Sequence, residues 1–256
     1  MSTLDGGRIV IGDRLRAGAG DAVHRGTLAR DPSVQLLVTL TGPHGTPAKD
    51  LPMVPAVDGI APLEWVGANG DPALPYADAL VERLPAGRAA SERAPMPMPA
   101  LARLGAALAR VTAAVHAAGS RVDGIRPELV FLDDDGTFTG IAPRGPRFIA
   151  SSQQRGPGVR SYHVPYLAPE ALAQLKPEPA SDVFALCATL FVIGSGWHPF
   201  GDLARTTEIV SGILSGKRAA WSGDPAIGDV IAAGLAARAA DRPRASDIAA
   251  RFAALS

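Results

Sequence analysis

Apolar and β-branched residues gather in three early stretches, Arg8 to Leu15, Ala22 to Leu28 and Val34 to Leu40, bounded by Gly-rich turns, Asp31-Pro32 and Gly42-Pro43. Short runs of this kind between turn residues read as strands, so a small β-meander is expected. Two more strands are expected over Ile60 to Val66 and Ala77 to Leu84, separated by the turn-rich Gly67 to Pro75. From residue 101 the period changes. Leu101, Leu104, Leu108, Val111 and Val115 recur at three and four, which places one apolar stripe on a helix ending at Gly119. Val130-Phe131-Leu132 and Phe138 to Ile141, joined through Asp135-Gly136, predict a hairpin. After Asp182, the residues Val183, Phe184, Leu186, Cys187, Leu190, Phe191, Val192 and Ile193 leave no polar face, and a helix apolar all round is buried in a core. The run lasts about 14 residues before Gly194 and Gly196, short of the roughly 20 that span a bilayer. A short helix is expected after Pro169-Glu170, and three more over Thr206 to Leu214, Ala226 to Ala237 and Ser246 to Leu255.

The connections divide the chain. Residues 42 to 58 hold four prolines and no helical period, so they read as a loop; Pro85 to Pro99 reads as a linker and Gly145 to Arg160 as an exposed loop. The expectation is an α+β protein with a β-rich part over 1–90, a hinge near 83–90, and a helical part over 91–256, together one domain. No repeat of fixed period is present. With 47% apolar residues the chain can bury a sizeable core.

Charge and chemistry narrow the picture further. Twenty-five basic residues balance 25 acidic ones, which argues against long-range attraction to nucleic acid or a membrane surface. The single cysteine, Cys187, lies on the buried run, where it reads as a small core residue rather than a nucleophile or half of a disulfide. A reducing, cytoplasmic location is expected, and the N-terminus shows no secretion signal. The histidines at 24, 44, 116, 163 and 198 are scattered, so no metal site is expected. Asp133, Asp134 and Asp135 read as a solvated hairpin tip. Arginine outnumbers lysine 22 to 3 and alanine is abundant, a composition like that of a high-GC bacterial genome.

Five ordered strings in residues 101 to 256 resemble the protein-kinase family. Val115-His116-Ala117-Ala118-Gly119 occupies the place of a Leu-His-x-x-Gly pattern, and Val122-Asp123-Gly124-Ile125-Arg126-Pro127-Glu128-Leu129-Val130-Phe131-Leu132-Asp133 looks like His-Arg-Asp-Leu-Lys-Pro-x-Asn-Ile-Leu-Leu-Asp. Leu167-Ala168-Pro169-Glu170 is similar to Ala-Pro-Glu, Ser181-Asp182-Val183-Phe184-Ala185-Leu186 to the start of the central helix, and Asp241-Arg242-Pro243 to the Arg-Pro near the family's C-terminus. Over residues 8 to 90 the likeness rests on strand order, on Gly18 and Val23 in a degraded glycine loop, and on Ala79 to Leu84 as the hinge. The resemblance implies a bilobal protein-kinase-like fold, with a larger α-helical C-lobe and a small β-rich N-lobe lacking a proper αC helix, since prolines 47, 52 and 55 oppose one. It also implies that Glu170 pairs with Arg242 and that Asp182 holds the catalytic-loop backbone.

Phosphoryl transfer from ATP needs positive charge on the phosphates, oxygen ligands for magnesium, and a carboxylate near the attacking hydroxyl. The chain has three lysines, Lys49, Lys176 and Lys217, and the third-strand position that should carry one is Val38. No glutamate precedes Glu64. The one asparagine is Asn69, and the metal-binding asparagine position is Leu129. No aspartate occurs from Gly136 to Ala180, so the family's Asp-Phe-Gly is replaced by something like Ala142-Pro143-Arg144. The base position falls on Gly124; a shifted register would use Asp123, which alone cannot transfer a phosphoryl group. Arg16 and Arg144 read as solvated residues that could meet an anion, while Asp21 would repel phosphate. Ser151, Ser152, Ser161 and Tyr162 are hydroxyls another kinase could modify.

The expected function is therefore that of a pseudokinase, with no catalytic residue, cofactor or metal, acting in bacterial signalling as a scaffold or regulator. Its partner would be an unidentified protein or a second copy of itself, met at residues 145 to 160 or at the surface left by a missing N-lobe helix. The alternatives are a weak or atypical Ser/Thr protein kinase using ATP, and a metal-independent nucleotide or metabolite sensor.

Overall fold

Runs of β-branched and aliphatic residues, Ile9-Val10-Ile11 and Leu36-Leu37-Val38 among them, build the N-terminal strands. The computed structural model describes residues 2–17, 21–42, 54–70, 76–143, 164–173 and 176–256. Six strands, β1 (Thr3–Leu4), β2 (Ile9–Ala17), β3 (Asp21–Leu28), β4 (Asp31–Thr41), β5 (Leu63–Ala68) and β6 (Asp78–Arg83), form one antiparallel sheet in the order β1-β2-β3-β4-β6-β5. The first three long strands follow one another as a meander. The later hairpin adds through its second strand, with Leu36 opposite Arg83 and Thr41 opposite Asp78.

Alternation along β4 sends Leu36, Val38 and Leu40 to one face. There they pack with Leu4, Ile9, Ile11, Ala79 and Val81 in a cluster almost sealed from solvent. Leu80 packs with Leu63 and Val66 on the other face. The expected strand over Ile60 to Val66 begins instead at Leu63; Ile60 forms an isolated bridge with Ile141. Strand β1 is too short to carry a periodic signal.

A second compact unit takes in the described residues within 54–60, 86–141 and 164–256. The stretch expected to be a linker is structured. Arg88–Ala89 forms β7, paired to β8 (Val130–Leu132), which pairs to β9 (Phe138–Ile141). A 3-10 turn over Ala90–Arg93 leads towards α1 (Met98–Ala117), with Pro99 in its first turn where a missing N–H costs nothing. Further helices are α2 (Pro169–Leu172), α3 (Pro179–Ser195), α4 (Thr206–Ser215), α5 (Pro225–Gly234) and α6 (Ala245–Ala253).

Helix α3 is the hub of this unit: Phe184, Leu186, Cys187, Leu190, Phe191 and Ile193 are at most 2% exposed. It runs through Gly194 and stops at Gly196, whose φ of 83° lies in the left-handed region that favours glycine. Helix α1 is long and apolar enough to cross a membrane by length and composition, yet ten of its residues are buried, and it packs on α3 and α6. Its stripe is thus accounted for by the core of this unit. The helix that the resemblance implies to be missing would fall largely on residues 43 to 53, outside the described residues.

Candidate functional site

The first turn of α3 carries a carboxylate with three hydrogen-bond partners. Pro179 starts the helix, and the Ser181 hydroxyl accepts the Glu178 N–H at 3.1 Å while donating to Glu170 Oε1 at 2.6 Å. Asp182 follows, with its side chain 3% exposed. Its Oδ2 accepts the Val122 N–H at 2.7 Å and lies 2.9 Å from His116 Nε2; its Oδ1 accepts the Asp123 N–H at 2.9 Å. Asp123 has φ 56°, an uncommon value for a residue with a side chain. The two successive N–H groups converge on one carboxylate, so the backbone of residues 122 and 123 is held in place by α3.

What this held segment presents is chemically spare. The Asp123 carboxylate sits 2.7 Å from Arg121 Nη1, and Gly124 offers no side chain. Arg126 is 8% exposed, with its Nε 3.8 Å from Glu128 Oε2. A 3-10 turn over Pro127–Leu129 then buries Leu129, which has no atom to ligate a metal. Ala142 and Pro143, after β9, are also buried and without a ligating side chain. Among the described residues no group of three His, Cys, Asp or Glu side chains could hold a metal ion.

A second constellation joins Glu170 on α2 to Arg242, just before α6. The guanidinium grips the carboxylate with both ends, Nη1 to Oε1 at 2.7 Å and Nη2 to Oε2 at 2.9 Å. Its other three N–H groups donate to the carbonyls of Ala180 (3.0 Å), Ala236 (2.8 Å) and Ala237 (3.1 Å), and its Cζ lies over the Phe184 ring, 5.1 Å from the ring centre. Burial would raise the Glu170 carboxyl, but hydrogen bonds from Arg242, from Ser181 and from its own N–H, with the charge of Arg242, hold it below the usual carboxylate range.

The register of the sheet places Val38. Val38 points into the apolar cluster with Leu36 and Leu40, whereas Val23 stands directly opposite Thr39. Cross-strand partners share a face, so Val23 shares one with Thr39 and His24 shares the other with Val38. A threonine is no better than a valine at neutralising a phosphate. Gly18, Lys49, Arg144, His44, His163, and the loop of residues 145 to 160 with Ser151, Ser152, Ser161 and Tyr162 lie outside the described residues.

Sequence reasoning gave no role to Tyr166 or Arg126, and to His198 only that of satisfying local hydrogen bonds. Tyr166 and His198 meet edge to face at 5.4 Å, and His198 Nδ1 accepts the Phe200 N–H at 3.3 Å. Burial pushes the Tyr166 hydroxyl well above its ordinary value, Glu128 adds to this and Arg126 opposes it. Burial also pushes His198 down to about 4 against the opposing carbonyl of Pro165. The thiol of Cys187 is driven up to about 12 by burial, which keeps it a neutral core group. Arg126 was visible as the one basic residue in the string from Val122 to Asp133. No family model matches the chain, and no curated protein matches it.

Proposed function

We propose that the chain is a degenerate protein-kinase-like protein, a pseudokinase, that works through protein contacts as a scaffold or regulator. The observation that carries this reading is the segment from Val122 to Leu129. Asp182 holds its backbone in a fixed path, and along that path Gly124 and Leu129 stand where the resemblance calls for a catalytic carboxylate and a metal-binding amide. A framework kept without reactive groups favours a binding role over a transfer role. Two further features support the reading: the Glu170–Arg242 pair, which the resemblance implies, and the strand order of the N-terminal sheet.

The remaining asparagine, Asn69, donates its amide to the Tyr76 carbonyl at 2.9 Å and serves the β5–β6 connection. Lys176 and Lys217 belong to the helical unit and not to the sheet. The reading predicts no magnesium-dependent binding of ATP, tested by thermal unfolding with ATP in the presence and absence of magnesium. A shift without magnesium would favour the sensor reading instead.

A further inference from the structure

Five large hydrophobic side chains are exposed among the described residues, and three of them stand together on the helical unit. Trp197 (52% exposed) and Leu203 (45%) line a groove of about 940 Å³ between the turn after α3, helix α4 and the segment that follows it, and Leu214 (56%) stands beside its lining residue Ser215. Apolar surface gathered in this way marks an interaction site. The floor is rigid, since His198 and Phe200 are buried and the Phe200 ring stacks on Phe184 of α3 at 5.6 Å. Helix α4 is drawn in at Gly212, where an added Cβ would lie 2.7 Å from the Phe200 carbonyl. Apolar anchors on a pre-formed surface lower the ordering cost of binding.

Charge decides what can cover this surface. Asp202 and Glu208 stand at the N-terminal end of α4, and Lys217 and Arg218 follow its C-terminal end; the helix between has ten residues and is about 15 Å long. At the first end Glu208 pairs with Arg205 at 2.9 Å and Asp202 accepts the Ala204 N–H at 2.9 Å, so the three side chains leave one negative charge. At the other, Arg218 donates to the Ala232 carbonyl at 3.4 Å and lines an adjoining hollow of about 430 Å³ with Asp229, so Lys217, Arg218 and Asp229 leave one positive charge. The surface is neutral in sum. A segment of one sign would gain at one end and lose at the other, whereas a two-fold rotation brings the acidic end of one copy to the basic end of the next.

We infer that this face joins two copies of the chain about a two-fold axis near Ser211, with Trp197, Leu203 and Leu214 of each copy covered by the other and Glu208 of one beside Lys217 of its partner. Thr207, Ser211 and Ser215 are exposed, line the groove and recur every fourth residue, so they share one face of α4, and their small side chains let two antiparallel copies of the helix come close. Ser211 lies in the middle of α4, where a two-fold axis across the helix must pass. The inference deepens the scaffold reading by naming the partner, and rests on it for the partner's being a protein.

The test is sedimentation velocity of the full chain. The protein should pass from monomer to dimer as its concentration rises, and Trp197→Ala should weaken the dimer at least about tenfold. Glu208→Lys alone and Lys217→Glu alone should each weaken it as well, because either change sets like charges against each other at both ends of a two-fold interface. An equal mixture of these two variants should recover the dimer, since every contact between unlike variants then joins opposite charges. Should a charge variant fail to fold, cross-linking replaces it: Cys187, the one cysteine, is fully buried, so a short bismaleimide should join two copies of Ser211→Cys and leave Ser246→Cys, exposed on α6, unjoined. A monomer at every concentration, a mixture that associates no better than its components, a dimer indifferent to Trp197→Ala, or cross-linking through Ser246→Cys in place of Ser211→Cys would each overturn the proposal. Magnesium-dependent ATP binding would overturn the pseudokinase reading and leave these results as they stand.

Discussion

Arg242 uses all five of its N–H groups inside the protein, two on Glu170 and three on backbone carbonyls, and its side chain is fully buried. Removing either partner strands a charge where water cannot reach it. Arg242→Ala or Glu170→Gln should each cost about 3 to 5 kcal/mol in urea unfolding, and the double variant should lose less than the sum of the two. Additive losses would mean the pair is not coupled. His198 makes a different demand, on pH. The folded protein keeps it neutral down to about 4, while the unfolded chain takes up the proton near 6.5, so the unfolded state holds more protons between those values. Stability should fall as pH drops from 6.5 towards 4, and this contribution should change no further below 4. Glu170 acts lower, its stabilisation lost as pH falls below 4.5 through its depressed value. His198→Gln should flatten the first window in urea titrations and leave the second; an unchanged slope between pH 6.5 and 4 would contradict the assignment.

Helices of the C-terminal unit approach closely where small residues meet large ones. Gly105 of α1 lies under the Phe252 ring of α6, where an added Cβ would sit 2.8 Å from ring atoms. Gly234 of α5 faces Cys187 of α3, and any side chain there would run into its Sγ. Gly234→Ala should therefore destabilise the protein by about 1 to 3 kcal/mol, and Cys187→Ala in the same chain should return much of the loss, both read from thermal or urea unfolding. No rescue would mean the damage comes from elsewhere on α5. The helix periods were legible in the sequence because Leu101 to Val115 and Val183 to Ile193 repeat strongly. The ends were less so. Gly194 looked like a helix breaker, but it stays helical because its missing side chain admits Leu101 and Trp221. The stretch from Pro85 to Pro99 looked like a linker because β7 has only two residues and is defined by its pairing to Phe131 and Leu132, more than 40 positions away.

At the scale of the molecule, the α+β division was legible from the change of period near residue 100, and the framework of the site from three short strings around Glu170, Asp182 and Arg242. Tyr166 escaped because its properties arise from burial and from Glu128 and Arg126, distant in sequence, and the depressed pKa of His198 was not legible because burial causes it rather than local pattern. Which face Val38 takes was not legible in the sequence either, since it follows from the register of β3 with β4, where Val38 stands opposite His24. The proposed reading is of a kinase-like framework without the groups that bind and transfer a phosphoryl group. Thermal unfolding with ATP, with and without magnesium, tests it most directly. The melting temperature should be the same with magnesium and ATP as with neither; a rise of several degrees that requires magnesium would overturn the pseudokinase reading.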